Sequence, residues 1–475
     1  MGITDLAGGL FRGVERGIDG VTGLVDSVTG DQVVRLGVTG LSRAGKTVFI
    51  TSLVANLIER GRMPALSAVA SGAVQGAWLQ PQPDDTVPRF EFERHLGALT
   101  GTEPHWPDGT RAVSQLRVSL RVQHGGMLGA LRGPQVVHLD IVDYPGEWLL
   151  DLALMDRSYA DWSADVLSRI TPRPLGAAFL ETVQDIDPGQ PLREHAAQEL
   201  AAAYTAHLNA ARAAGWSDCT PGRFLLPGEM AGSPALTFAP LLPPDRPPPR
   251  GSLWREMERR YDAYKARVVT PFFRDHFARI DRQVVLVDVL GAIHAGPPAL
   301  EDLRRSMAAI LTAFRPGRSS WLANLLGLRR VERILFAATK ADHLHHAQHA
   351  RLSAITEALL AEARDRANFA GARAQAMAIA ALRATTEEDI THQGETLEAV
   401  RGRLLDGRQA AFYAGELPEN PAEILAPARE GAPRWLDADY EVMSFAPAPI
   451  TLRPGEGPPH IRLDRAAEFL FGDRL

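Results

Sequence analysis

The chain has 475 residues, 45% apolar and 23% charged, with a net charge of −6 and a single cysteine, Cys219. This is the composition of a soluble globular protein; the acidic balance excludes the basic footprint of a nucleic-acid binder, and one cysteine excludes internal disulfides and fits a reducing, cytoplasmic setting. The length predicts about two to three domains.

No run reaches the ~20 apolar residues of a membrane-crossing helix, and the first residues lack the order of a secretory signal. Residues 1–32 nonetheless carry Ile3, Leu6, Leu10, Val14, Val21, Leu24, Val25 and Val28 at near-helical spacing, with Gly9, Gly13 and Gly17 on one face. Asp5, Glu15, Asp19 and Asp26 offset Arg12 and Arg16, so the segment reads as an arm that packs on its own domain. Membrane contact through residues 1–30 is the alternative.

Residues 33–40 (VVRLGVTG) predict a buried strand running into a glycine turn, and 46–60 predict a helix. Residues 115–122 alternate like a half-exposed strand; 135–143, 283–290 and 333–339 are apolar strand runs, and 376–382 is a weaker one. Helices between strands imply an α/β fold, a mostly parallel sheet covered on both faces. Residues 150–280 break the alternation and predict an inserted, mainly helical subdomain, with helices at 150–170, 190–214 and 252–280. Its Pro-rich stretch 226–250 has apolar flanks (Phe224, Leu225, Leu226, Phe238, Leu241, Leu242), which predict a packed irregular loop. The core is then 33–149 and 281–400. A C-terminal extension, 401–475, packs on it, with short strands near 409–414 and 438–453 and a helix at 463–471.

Lysine occurs only at Lys46, Lys265 and Lys340, among 51 basic residues. A retained lysine marks a place where the planar arginine fork does not fit. Lys46 lies in Gly40-Leu-Ser-Arg-Ala-Gly-Lys-Thr47, a P-loop between a strand and a helix. Backbone N–H groups over Gly40, Ser42, Arg43, Ala44, Gly45, Lys46, Thr47 and Val48 are expected to hold phosphate oxygens. Lys46 reaches the β- and γ-phosphates and Thr47 ligates Mg²⁺. Asp143-Tyr-Pro-Gly146 closes a strand where a Walker B aspartate belongs: Asp143 holds Mg²⁺ through water, and the Gly146 N–H contacts the γ-phosphate. Asp140 is a rival carboxylate expected on the opposite face.

Thr339-Lys-Ala-Asp342 ends another strand. A buried Asp342 accepts from N1–H and the 2-amino group of guanine, donors that adenine lacks. The Lys340 stem lies along the base, with His343 beside it. Thr339 stands where asparagine is usual. In Ala381-Leu-Arg-Ala-Thr385, the N–H of Arg383 or Ala384 is expected to meet the guanine carbonyl. His343, His345, His346 and His349 raise a zinc site, with His345 and His349 on one helix face. No cysteine or carboxylate set accompanies them in the sequence, so they read as surface helix residues beside the base pocket.

These motifs in this order resemble the Ras-type P-loop GTPase core with large insertions. More closely, the chain resembles the bacterial YcjX family of stress-associated P-loop nucleotidases. The resemblance rests on GLSRAGKT at 40–47, DYPGEW at 143–148, FFRDHFARIDRQVVLVDVL at 272–290, TKADHLHH at 339–346 and FLFGDRL at 469–475. It implies cytoplasmic GTP/GDP and Mg²⁺ binding, slow hydrolysis and a link to stress. It names no partner; the 150–280 insertion is the expected partner surface. Glu147 follows the D-x-x-G motif where Ras-type proteins carry a water-orienting glutamine. Arg43 matches the P-loop arginine that acts as a finger in cis in guanylate-binding and atlastin-type GTPases. Lys46 completes the catalytic set. Thr110 is the candidate switch threonine on Mg²⁺, with Thr100 and Thr102 as rivals. The competing functions are an ATP-dependent phosphotransferase, which makes the 339–342 loop accidental, and a nucleotide-stabilised scaffold with negligible turnover.

Overall fold

The computed structural model describes residues 31–475 except 42–43, 110–111, 124–132, 218, 313–330, 370–371, 393, 436–439 and 441–442. Expectations about the arm at 1–30, Ser42, Arg43 and Thr110 lie outside the described residues.

Seven strands make the main sheet: β1 (Gln32–Gly40), β2 (Val74–Gln80), β3 (Ser114–Val122), β4 (Gln135–Asp143), β5 (Arg282–Val287), β6 (Arg333–Ala338) and β7 (Arg373–Ala378). Their spatial order is β2-β3-β4-β1-β5-β6-β7. The last five in that order are mutually parallel, while β2 and β3 run antiparallel at one edge. Successive residues of β5 alternate between two cores: Val284 and Leu286 face one, Val285 and Val287 the other. That is why its sequence is apolar from Val284 to Val287.

The first core takes α1 (Lys46–Glu59) through Phe49, Ile50, Leu53 and Leu57, with α2 (Phe92–Thr100) at its rim. The second takes a helical insertion between β4 and β5, whose longer members are α3 (Tyr159–Ile170), α4 (Glu194–Ala213) and α5 (Leu253–Tyr264). It also takes α6 (Pro297–Thr312) and α7 (His349–Phe369). Trp162 of α3 is fully buried at the centre of the insertion, against Tyr159, Tyr204, Phe238 and Tyr261. The Pro-rich stretch is an irregular loop pinned by buried Phe238 and Leu241, although Leu242 is exposed.

Several boundaries differ from expectation. The strand predicted at 283–290 stops at Val287, because Asp288 caps the short helix Val289–His294 by accepting the Gly291 N–H. The strand predicted at 376–382 starts earlier and ends at Ala378. No strand forms among the described residues of 438–453, where Phe445 makes one isolated bridge to Leu404. A small antiparallel sheet forms instead from β8 (Thr385–His392), β9 (Glu395–Arg403) and β10 (Gln409–Phe412).

The closing helix, α8 (Leu463–Phe471), falls where predicted. Leu463, Ala466, Ala467, Leu470 and Phe471 bury into the first core. Asp464 and Glu468 accept the Ala65 and Ser67 N–H groups, both at 2.9 Å, tying α8 to the loop after α1. Leu470→Ala leaves a cavity at a position with no solvent exposure. It is expected to cost about 2–5 kcal/mol in urea unfolding; a loss within error of zero would mean that α8 does not seal this face.

Candidate functional site

Parallel strands deliver their carboxyl ends to one edge, where open α/β sheets bind ligands. Here that edge carries the P-loop after β1, the DYPG turn after β4, Asp288 after β5, the TKAD loop after β6 and residues 379–384 after β7. Gly45 has φ 79° and starts α1 at Lys46, so the N–H groups of the first helical turn open onto the loop.

β4 pairs with β1, setting Val38 opposite Asp143. Asp143 is 1% exposed. The rival Asp140 is taken by Arg117 on β3, bidentately at 2.5 and 2.8 Å. Gly146 lies hard against the P-loop: a Cβ there would stand 2.4 Å from the Gly40 carbonyl oxygen.

The chain after Gly146 does not project into solvent. Glu147–Leu150 forms one buried helical turn beneath the insertion. Arg212 of α4 brings Nη2 to 3.4 Å from Glu147 Oε1. Arg223 stacks 3.3 Å above the Trp148 ring. Asp151 accepts the Gly222 N–H at 2.8 Å and the Tyr264 hydroxyl.

On the base side, Asp342 is buried, and its Oδ2 accepts the Ala384 N–H at 2.8 Å. Its carbonyl accepts the Thr385 hydroxyl. Lys340 adopts φ 62° and pairs through Nζ with Asp288. The expectation for Arg383 and Ala384 needs correction. The Arg383 N–H donates to Pro459 O at 2.8 Å and the Ala384 N–H to Asp342, so neither is directed at a base. Ala380, Ala381 and Leu382 line the cleft instead.

The histidines also depart from a surface helix. His343 is buried edge-on to Phe445, ring centroids 5.2 Å apart, and burial holds its imidazole below the usual pKa. His349 is buried too, its Nε2 2.7 Å from Ala341 O, where it braces the base loop. His345 faces Glu387 and Glu398, not His349.

Ala44, Gly45, Lys46, Thr47, Val48, Glu147, Lys340, Asp342 and His343 all line one cleft of about 590 Å³, a size typical of ligand sites. Gly40 and Asp143 are the ends of β1 and β4, and Gly146 lies in the turn after β4. Sequence reasoning missed Arg212, Trp106, Leu405, Met443 and Phe445, which complete the walls. Trp106 Nε1 donates to Phe445 O at 2.7 Å, closing the base side. No spacing rule could have gathered them, since they come from distant segments.

A mostly parallel sheet with a glycine-rich strand-to-helix loop at its carboxyl edge and a large helical insertion defines a P-loop α/β protein of Ras-like architecture. The chain belongs to the YcjX-like family (DUF463), which matches residues 34–475. It is 36% identical over 467 residues to the Ras-like GTPase YcjX of Escherichia coli, covering 94% of this chain and 96% of that protein. It is 34% identical over 472 residues to the Ras-like GTPase YcjX of Shewanella oneidensis, with the same coverage. Among the described residues, no helix is long and apolar enough to cross a membrane.

Asp151 yields a pH prediction. Burial raises its pKa from 3.8 to about 7, against the hydrogen bonds from Tyr264 and Gly222. The folded protein then keeps a proton that the unfolded chain releases. This contribution therefore destabilises increasingly as pH rises from about 4 to about 7, and is constant above. Asp151→Asn removes it. Between about pH 5 and about pH 8, urea unfolding should show the variant gaining on wild type by up to about 3 kcal/mol. A gap that does not change with pH would show that Asp151 ionises normally.

Proposed function

We propose that the chain binds guanine nucleotides in this cleft and hydrolyses GTP to GDP and phosphate. The observation that carries this reading is that Lys46 and Thr47, after β1, and Asp342, after β6, face the same cleft from the two sides of β5. Lys46 and the first turn of α1 take the phosphates. Asp342, oriented by the Ala384 N–H, takes N1–H and the 2-amino group of guanine. Lys340, held by Asp288, lays its stem along the base. Leu382 replaces Arg383 and Ala384 as the backbone donor to the guanine carbonyl.

Thr47 in the first turn of α1 and Asp143 at the end of the strand paired with β1 offer hard oxygen donors, a set that fits Mg²⁺. When bound, the ion neutralises charge on the phosphate oxygens. Hydrolysis also needs a cation for the charge developing on the transferred group. Arg212 supplies a guanidinium in the cleft, positioned by its 3.4 Å contact with Glu147. It joins Arg43 in that role. Turnover is slow, and the role is regulatory. The buried turn after Gly146 relays the state of the γ-phosphate into residues 150–280, where a protein partner reads it. The family resemblance adds a stress setting in the cytoplasm.

The test is displacement of fluorescent GDP, with Mg²⁺, by GTP, GDP, ATP and ADP. Guanine nucleotides should compete at least about 10²-fold better, and Asp342→Asn should erase that preference. Equal competition by ATP would refute the base assignment and bring the phosphotransferase reading forward.

Single-turnover hydrolysis tests the second assignment. Arg212→Ala should slow it about 10²–10³-fold while GDP affinity changes far less. If affinity and rate fall together, Arg212 serves binding and not the transition state.

A further inference from the structure

Beside the base loop, two histidines meet two carboxylates that lie far away in sequence. His345 and His346 follow the loop that carries Asp342, Glu387 lies on β8, and Glu398 lies on the paired strand β9. His345 Nε2 is 3.7 Å from Glu387 Oε2, and His346 Nδ1 is 2.8 Å from the same oxygen. One donor atom from each of these three residues lies within 4.8 Å of the other two. A tetrahedral zinc ion bound at about 2.0–2.1 Å sets its donors about 3.4 Å apart. The two rings are tilted, with centroids 4.3 Å apart, so their edges converge on one region.

The remaining nitrogen of His345 also has a carboxylate beside it. Its Nδ1 lies 3.3 Å from Glu398 Oε2. The contact is a charge facing the ring edge and not a formed hydrogen bond, and it lies on the side of the ring away from Glu387. Metal-bound histidines are oriented by carboxylates in the same way. Arg383 approaches the other oxygen of Glu387, Oε1, at 3.6 Å, leaving Oε2 to the histidines.

We propose that His345, His346 and Glu387 bind one divalent transition-metal ion of the zinc class, with Glu398 as the positioning residue for His345. Two imidazoles and a carboxylate select zinc-like ions over Mg²⁺ or Ca²⁺, which prefer all-oxygen sets. An ion there ties the β8–β9 hairpin to the loop that carries Asp342. This inference does not depend on the nucleotide reading, because it concerns other side chains and is tested without nucleotide.

The experiment uses the full chain without a histidine tag and titrates Zn²⁺ against a chromophoric chelator, with Co²⁺ as a spectroscopic substitute. Wild type should bind one Zn²⁺ per chain, unaffected by excess Mg²⁺, and Zn²⁺ should raise its Tm. Co²⁺ should give the intense visible bands of a low-symmetry, four-coordinate site. His346→Gln alters a side chain that is 68% exposed, so the fold survives, and it should weaken binding by more than about tenfold. Glu398→Gln touches no ion, yet should weaken binding about 10–100-fold through loss of the negative charge beside His345 Nδ1. The proposal fails if wild type competes no better for Zn²⁺ than His346→Gln and Glu387→Gln do, or if Co²⁺ shows only the weak bands of a hydrated ion.

Discussion

Contact of main chain with main chain at Gly146 is the constraint on which the rest of the site depends. A Cβ at this position would meet the Gly40 carbonyl oxygen at 2.4 Å and the Leu41 nitrogen at 3.0 Å. Both atoms are backbone, so neither can rotate away. The next link has the same form: a Cβ at Gly222 would stand 2.3 Å from the Glu147 carbonyl oxygen. P-loop, DYPG turn and helical insertion are therefore stacked without side chains between them. Close-packed backbone of this kind shifts between discrete arrangements and does not deform smoothly. The buried Trp148 under Arg223, and Asp151 between Gly222 and Tyr264, close the stack from the far side.

The parts of this architecture that were legible in the sequence share one property: their signal is local. The β1–P-loop–α1 unit, β4 with DYPG, and α8 each combine a periodic apolar run with a terminating motif inside one short window. The elements that were missed lack such a window. β2 (VQGAWLQ) contains a glycine and is half-exposed along most of its length, as an edge strand can be. β8 (TTEEDITH) is polar nearly throughout, and it is a strand because it pairs with β9. Its register, not its composition, makes it a strand.

The site divides along the same line. Lys46, Thr47, Asp143 and Asp342 belong to motifs whose spacing is set by one turn after one strand. Arg212, Trp106 and Phe445 reach the cleft through tertiary packing, and Asp288 comes into view only once β5 and β6 lie side by side. The misassignment at Arg383 and Ala384 has a concrete cause. The 455–461 segment returns alongside residues 380–383 and takes up the Arg383 N–H, while Asp342 takes up that of Ala384. Surface placement fails at His343 and His349 for a similar reason: they are buried, His343 against Phe445 from a distant segment and His349 against the Ala341 carbonyl.

The cleft also has a temporal order. Its P-loop lies at residues 40–47, whereas Met443, Ser444 and Phe445, which also wall it, come about 400 residues later. α8, which seals the first core beneath α1, is encoded later still. During synthesis the early segments leave the ribosome first. The P-loop thus emerges long before the surfaces that cover it, and a growing chain cannot wall its cleft until residues 443–445 have been made. The strand order of the sheet carries the same demand: β1 sits at the centre and waits for β5 on one side while β4 has already paired on the other. A protein built this way walls its cleft with segments made more than 300 residues after its P-loop.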